Sequence, residues 1–260
     1  MSSEVIVTRD GGVQAVRINR PEKKNALTRA MYDAMTSALT EADANPDVAV
    51  HLLLGSGGVF TAGNDISDFA KRATDLNARG GASSLISTLP TLQKPIVAAV
   101  DGLAIGVGVT MLFHCDIVYA SPTASFRTPF LDLGLVMEAG SSLMAPRIMG
   151  HQKAFELLCL GEAYTPEMAM AAGFVNRIVP AAALEAEAMK VAQRLAAKPP
   201  KALAAARKLL KGVTPDEALE RIKQEGVVFA ALMQSDEAKE AFAAFLEKRK
   251  PDFAKLRRKG

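Results

Sequence analysis

Two apolar runs that each empty into a glycine-rich turn constrain this chain more than any other feature. Val48–Leu54 leads into Gly55-Ser56-Gly57-Gly58, and Pro95–Val100 leads into Asp101-Gly102 and then Gly106-Val107-Gly108. Short apolar, β-branched runs bounded by glycine read as strands covered on both faces, which parallel sheets require. A helical pattern lies before or after each of them. Thr28 to Ala44 is helical and stops at Asn45-Pro46, Ile66–Arg79 and Ser83–Leu92 read as helices about Gly80-Gly81, and a helix is expected near Gly108–His114. Strands are also expected at Val5–Thr8 and Val13–Asn19 about Gly11-Gly12, at Ile117–Ala120, at Ser125–Phe126 and at Val175–Val179. Alternating strands and helices predict an α/β fold with largely parallel strands.

Past Ser141 the chain turns mainly helical. Thr165-Pro166-Glu167 places an N-cap before proline at the first helical position, and Gly173 is set to stop that helix. Thr214-Pro215-Asp216-Glu217 is a capping-box pattern, in which a Thr hydroxyl and a Glu carboxylate three residues on each take a free N–H. The last third is rich in Ala and Lys and reads as almost all helix. The chain therefore divides into a core, 1–195, and a helical region, 196–260, whose apolar positions suit a subunit interface.

At 260 residues and 49% apolar composition, the chain can bury a large core. Its apolar runs, such as Leu103–Phe113, fall short of the ~20 residues of a membrane span. The Met1-Ser-Ser-Glu-Val start lacks a signal-peptide pattern and the Arg-Arg-Lys-Gly end is not a peroxisomal address, so a cytoplasmic protein is expected. Net charge is +3, with Lys255–Lys259 the only dense basic cluster, and nothing alternates basic with aromatic residues as nucleic-acid binders do. Cys115 and Cys159 are expected as reduced thiols. His114-Cys115-Asp116 resembles a ligand set only on paper, because neighbours along a strand face opposite ways. No metal is expected.

Chemistry can reside in three segments. Val59-Phe60-Thr61-Ala62-Gly63-Asn64-Asp65-Ile66 follows a strand and opens a helix, where unpaired N–H groups can meet a ligand oxygen. By itself it is also an ordinary loop. Asp101 to Thr110 repeats the arrangement, with Val107 between Gly106 and Gly108. Two N–H groups from such loops would make an oxyanion hole. A dinucleotide fingerprint is the rival, but Met111 stands where its last glycine belongs. Phe126 to Ser142 holds Glu138 in apolar company, before a helix expected to be capped by Ser141 or Ser142. Apolar neighbours would raise its pKa and suit it to proton transfer, whereas a nearby helix N-terminus would lower it. A solvated loop glutamate is the alternative. No G-x-S-x-G occurs, which argues against a serine hydrolase.

Several stretches together carry a family resemblance. They are Asn19-Arg20-Pro21-Glu22-Lys23-Lys24-Asn25-Ala26-Leu27, Ala62-Gly63-Asn64-Asp65-Ile66, Lys94 to Gly102, Cys115-Asp116-Ile117-Val118-Tyr119-Ala120 and Ala172-Gly173-Phe174-Val175-Asn176. Over nearly its whole length the chain resembles the enoyl-CoA hydratase/isomerase (crotonase) family. The resemblance implies a repeated β-β-α superhelix with a C-terminal helical trimerisation region, and a homotrimer or hexamer. It implies oxyanion donors at the Ala62 and Val107 N–H groups. Lys24, Ala26, Gly63, Asn64, Asp65 and Ile66 would lie along the coenzyme A path, and Phe130 would border the substrate. Coenzyme A would enter as part of the thioester substrate, with no separate cofactor.

Hydratases of this family carry two water-activating glutamates. This chain has Thr110 and Phe130 at those places, neither of which can act as a base. Thr128-Pro129-Phe130, Leu133-Gly134 and Glu138-Ala139-Gly140-Ser141-Ser142 resemble the peroxisomal-type 3,2-enoyl-CoA isomerases, whose single catalytic glutamate implies that role for Glu138. The expected activity is a double-bond shift in a 3-enoyl-CoA. A hydratase, another enolate chemistry such as ring isomerisation, and a non-catalytic acyl-CoA-binding protein are the alternatives.

Overall fold

The computed structural model describes residues 4–65, 81–247 and 249–257. The helix expected at Ile66–Arg79 lies outside them. In chain order the elements are β1 (Val5–Asp10), β2 (Val13–Ile18), α1 (Arg29–Ala44), β3 (Val50–Gly55), α2 (Ala82–Thr88), β4 (Ile96–Val100), β5 (Leu103–Ile105), α3 (Val107–Thr110), β6 (Ile117–Ala120) and β7 (Ser125–Arg127). Then follow α4 (Ser141–Met149), α5 (His151–Phe155), α6 (Pro166–Ala172), β8 (Arg177–Ile178), α7 (Ala181–Ala196), α8 (Pro200–Leu210), α9 (Pro215–Leu232), α10 (Asp236–Leu246) and α11 (Phe253–Arg257).

A six-stranded sheet runs β1-β2-β3-β4-β6-β8. Only the β1–β2 hairpin is antiparallel; the other pairs are parallel. Alternation along the strands splits the apolar side chains between two cores. Val16, Ile18, Leu53, Ala98, Val100 and Val118 face the main core beneath α1. Ala15, Leu52, Leu54, Val97, Ala99 and Tyr119 face the other way, where Leu184, Ala188 and Ala192 of α7 cover them at four-residue helical spacing. Among the described residues no helix is long and apolar enough to cross a membrane.

The chain leaves each of β4 and β6 for a second, smaller sheet. β4 is followed by β5 and β6 by β7, and β5 pairs with β7 in parallel. Bridges from Thr61 to Ala104 and from Phe126 to Tyr164 extend this second layer on both sides. This is the repeated β-β-α course expected. β5 had been expected as part of a turn; three residues are too few to show a local period, and only pairing with β7 and Thr61 makes them a strand.

Local signals otherwise held. Thr165 and Thr214 cap α6 and α9 through their side chains, Thr214 and Glu217 complete the capping box, and Gly173 ends α6 in the left-handed region; Thr28, expected as the first helical residue, instead caps α1. Pro90 tightens the end of the Ser83–Leu92 helix into a 3-10 turn. At Val175–Val179 only Arg177–Ile178 joins the ladder. One cap was misassigned. Gly140, not Ser141 or Ser142, caps α4, because both serine hydroxyls are engaged elsewhere. The helical region is joined to the core, since Ile222 of α9 belongs to the main apolar cluster.

Candidate active site

Asn25 builds the first wall of the site. It is fully buried and follows Lys24 in the left-handed region, with φ of 55° after 51°. Asn tolerates that backbone because its short polar side chain bonds locally. Its Oδ1 accepts from the Arg20 N–H at 2.8 Å, while Nδ2 donates to the carbonyls of Ser56 and Val59 at 2.9 and 2.6 Å. The Thr61 hydroxyl donates to the Asn25 carbonyl at 2.7 Å. Residues 20–27 are thereby laid along 61–65, where the Leu27 N–H donates to Gly63 and the Asp65 N–H to Leu27.

Of the residues expected on the coenzyme A path, Lys24, Ala26, Gly63, Asn64 and Asp65 fall on this seam, and Ile66 lies outside the described residues. The Arg20 guanidinium bonds the Ala26 carbonyl at 3.1 Å and the Asp65 carboxylate at 2.7 Å, and that ion pair raises the Arg20 pKa. Asn64 accepts from the Tyr32 hydroxyl at 2.6 Å. The Lys24 side chain is exposed.

The second wall is the Val107 turn, and two glycines let the walls touch. A β-carbon on Gly63, at φ 85°, would lie 2.8 Å from the Ile105 carbonyl oxygen, and one on Gly108 would lie 2.6 Å from Thr61 Cγ2. Both spacings exclude a side chain. The Thr61 N–H donates to Leu103 at 2.9 Å and the Ile105 N–H to Thr61 at 3.0 Å. Val107 opens α3, where no preceding turn offers its N–H a carbonyl. The Ala62 N–H donates to the Lys24 carbonyl at 2.9 Å, so it can serve a ligand oxygen only by exchanging or sharing that partner. Ala62, Asn64, Val107 and Phe130 border a cavity of about 450 Å³, which Phe242 and Phe245 of α10 also line.

Glu138 reaches the same α3 helix. The Thr110 hydroxyl donates to its Oε1 at 2.5 Å, which ties the carboxyl to the first turn behind Val107. Burial pushes the Glu138 pKa up to about 7, against the Thr110 bond, which lowers it, and with the Glu225 carboxylate adding to the rise. Burial thus outweighs the hydrogen bond that favours the carboxylate. The residue as a whole is half-buried, with its carboxyl the enclosed part.

The turn around Glu138 is fastened throughout. The Ser141 hydroxyl donates to the Glu138 carbonyl at 2.6 Å, and His114 Nε2 bonds the Ala139 carbonyl at 2.8 Å. A carbonyl only accepts, so Nε2 carries the proton. Burial lowers the His114 pKa to about 4, which keeps the ring neutral. Its neighbours point elsewhere: Asp116 accepts from the Ile96 N–H and from Arg207, and the Cys115 thiol turns to the Met111 carbonyl. Among the described residues no group of three or more His, Cys, Asp or Glu side chains converges on a metal position, and both cysteines are free.

Sequence reasoning placed Asn25 and Thr61 only within longer stretches, weighed His114 only as a metal ligand, passed over Glu225, and took Thr110 only as a missing acid. Their partners lie 25 to 85 residues away. A buried Asn next to a Lys-Lys pair offered the one visible signal.

Comparison with known proteins agrees with this geometry. The family model for enoyl-CoA hydratase/isomerase matches residues 8–256. "Enoyl-CoA delta isomerase 2" of Rattus norvegicus is 34% identical over 255 residues, 96% of this chain, and the chain spans 65% of that relative's length. "2,3-dehydroadipyl-CoA hydratase" of Escherichia coli is 31% identical over 96% of this chain and 98% of its own length. The crystal structure of an enoyl-CoA hydratase/isomerase from Pseudoalteromonas atlantica superposes with a TM-score of 0.91 at 39% identity, covering 96% of this chain and all of the other. With the fold, the two apposed loops and the family model in agreement, the chain belongs to the enoyl-CoA hydratase/isomerase family.

Proposed function

We propose that this protein is an enoyl-CoA isomerase that moves a double bond from the 3- to the 2-position of a coenzyme A thioester, with Glu138 as its single base. The observation that carries the reading is the enclosed Glu138 carboxyl bonded to Thr110, with a pKa raised to about 7. General bases work best with a pKa near the operating pH. In this reading the Glu138 carboxylate takes a proton from C2, the C2–H electron pair forms a C1=C2 bond, and the carbonyl pair moves onto the thioester oxygen, giving a dienolate conjugated with the 3,4-double bond. The oxyanion then re-forms the carbonyl, the C1=C2 pair becomes the 2,3-double bond, the former 3,4-pair takes the proton back from the Glu138 carboxylic acid at C4, and the carboxylate is regenerated. The Val107 N–H would stabilise the oxyanion, joined by the Ala62 N–H if it leaves Lys24. One such donor is worth about 3–4 kcal/mol in the transition state.

The isomerase name of the rat relative supports this reading, and the hydratase name of the E. coli relative favours the alternative. Water addition needs a second acid, and Thr110 and Phe130 cannot supply it. Glu138→Gln should abolish conversion of a 3-enoyl-CoA; a rate within a few-fold of the parent would refute the assignment. Rapid hydration of crotonyl-CoA by the unsubstituted protein would favour the hydratase. A cytoplasmic homotrimer or hexamer is also inferred, supported by Leu209 and Leu210 of α8, which stand 87% and 84% exposed.

A further inference from the structure

Helix α4 begins three residues after Glu138, and its first N–H groups have no carbonyl within the helix to meet. No local side chain caps them. Gly140 has none, the Ser141 hydroxyl turns back to the Glu138 carbonyl, and the Ser142 hydroxyl takes Arg221 at 3.3 Å. The cap comes from 85 residues along the chain: the Glu225 carboxylate of α9 accepts from the Gly140 N–H at 2.6 Å and from the Ser142 N–H at 2.9 Å. Glu225 is 6% exposed. The backbone it grips is unusual, with Ala139 at φ 61° and Gly140 at φ 72°. An alanine holds the left-handed region only where surrounding contacts over-determine it. Here the His114 bond to the Ala139 carbonyl and the two bonds to Glu225 do so.

We propose that Glu225 is a positioning residue for the Glu138 base, holding the Ala139-Gly140 turn in its left-handed form so that the Glu138 carboxyl meets Thr110 behind the Val107 N–H. This rests on the reading of Glu138 as the base. It makes α9 part of the active site and not only of the helical region behind it. The charges near this pair are few. Burial raises the Glu225 pKa, against the bonds from Ser142 and Gly140 and, on α9 itself, the nearby Arg221, which lower it. On α4 the one charged side chain is Arg147, which pairs with Glu217. From the turn after α3 comes the neutral His114. Residues 82–91, which also pack on α9, contain no titratable side chain. The Glu225 charge therefore acts on Glu138 directly and raises its pKa.

The test uses Glu225→Gln, which keeps one acceptor, and Glu225→Met, which keeps the volume and no acceptor. Misplacing a reacting group by about 1 Å can cost ~100-fold. The expected result is a kcat for the 3-enoyl-CoA lowered about 10- to 100-fold, more in Met than in Gln, with KM little changed. The pH at which kcat is half-maximal should also move down, because the neighbouring anion is gone. In the unsubstituted protein the Gly140 and Ser142 amides should exchange with deuterium as slowly as the interior of α4. Unchanged kcat in both variants overturns the inference, as does fast exchange at both amides, whether or not the variants fold. A Glu138→Gln protein that remains active refutes the base reading instead, so the two failures are distinct.

Discussion

Thr110→Val tests the electrostatics of the site through one atom. Valine keeps the branched shape within the buried α3 turn and deletes the hydroxyl that donates to Glu138 Oε1 at 2.5 Å. That distance is typical of an O–H donor on a charged acceptor. The bond favours the carboxylate and so holds the pKa below what burial alone would set; even so, the balance stands at about 7. Hydrogen bonds to charged groups are worth about 1.5–3 kcal/mol. At 1.36 kcal/mol per unit, losing this one raises the pKa by about one to two units. A base half ionised at neutral pH would then be about 1–10% ionised, lowering kcat/KM for the 3-enoyl-CoA about 5- to 50-fold at that pH. The assay is kcat/KM across pH, which reports the free enzyme's base. Its acid limb should move to higher pH, and the rate should recover at alkaline pH to within a few-fold of the parent. An unmoved profile would refute the electrostatic argument. A rate depressed equally at every pH would show that Thr110 only packs.

Three further outcomes follow from the same geometry. Burial raises the Glu138 pKa from an ordinary 4.5 to about 7, so its contribution to stability is fully present below the lower value and lost as pH rises through the upper. The loss is about 3 kcal/mol, and denaturant titrations of the parent and Glu138→Gln should diverge across that window. Asn25→Ala removes three buried hydrogen bonds and puts alanine at φ 55°, which should cost about 2–4 kcal/mol of unfolding free energy in urea. Gly63→Ala forces a β-carbon to within 2.8 Å of the Ile105 carbonyl at φ 85°, so the two loops must part; kcat/KM should fall at least as steeply as stability does, and an unaffected rate would argue against an oxyanion role for this seam.

What was legible in the sequence was whatever neighbours in the chain decide. The Thr165 and Thr214 caps, the Gly173 stop and the β1–β2 hairpin each depend on atoms a few residues apart, so residue type and order suffice. The α/β class followed from apolar periodicity, and Glu138 was marked by the absence of acids at Thr110 and Phe130. Tertiary structure alone decided the rest. Whether Glu138 is raised or lowered depended on burial against one hydroxyl 28 residues away, and which group caps α4 depended on a carboxylate 85 residues away. The Ala62 N–H, free in any local reading, is taken by Lys24 because Asn25 folds that segment across it. These are contests between desolvation and hydrogen bonds over distances of a few ångströms, and the order of residues along a chain does not state which of them will meet.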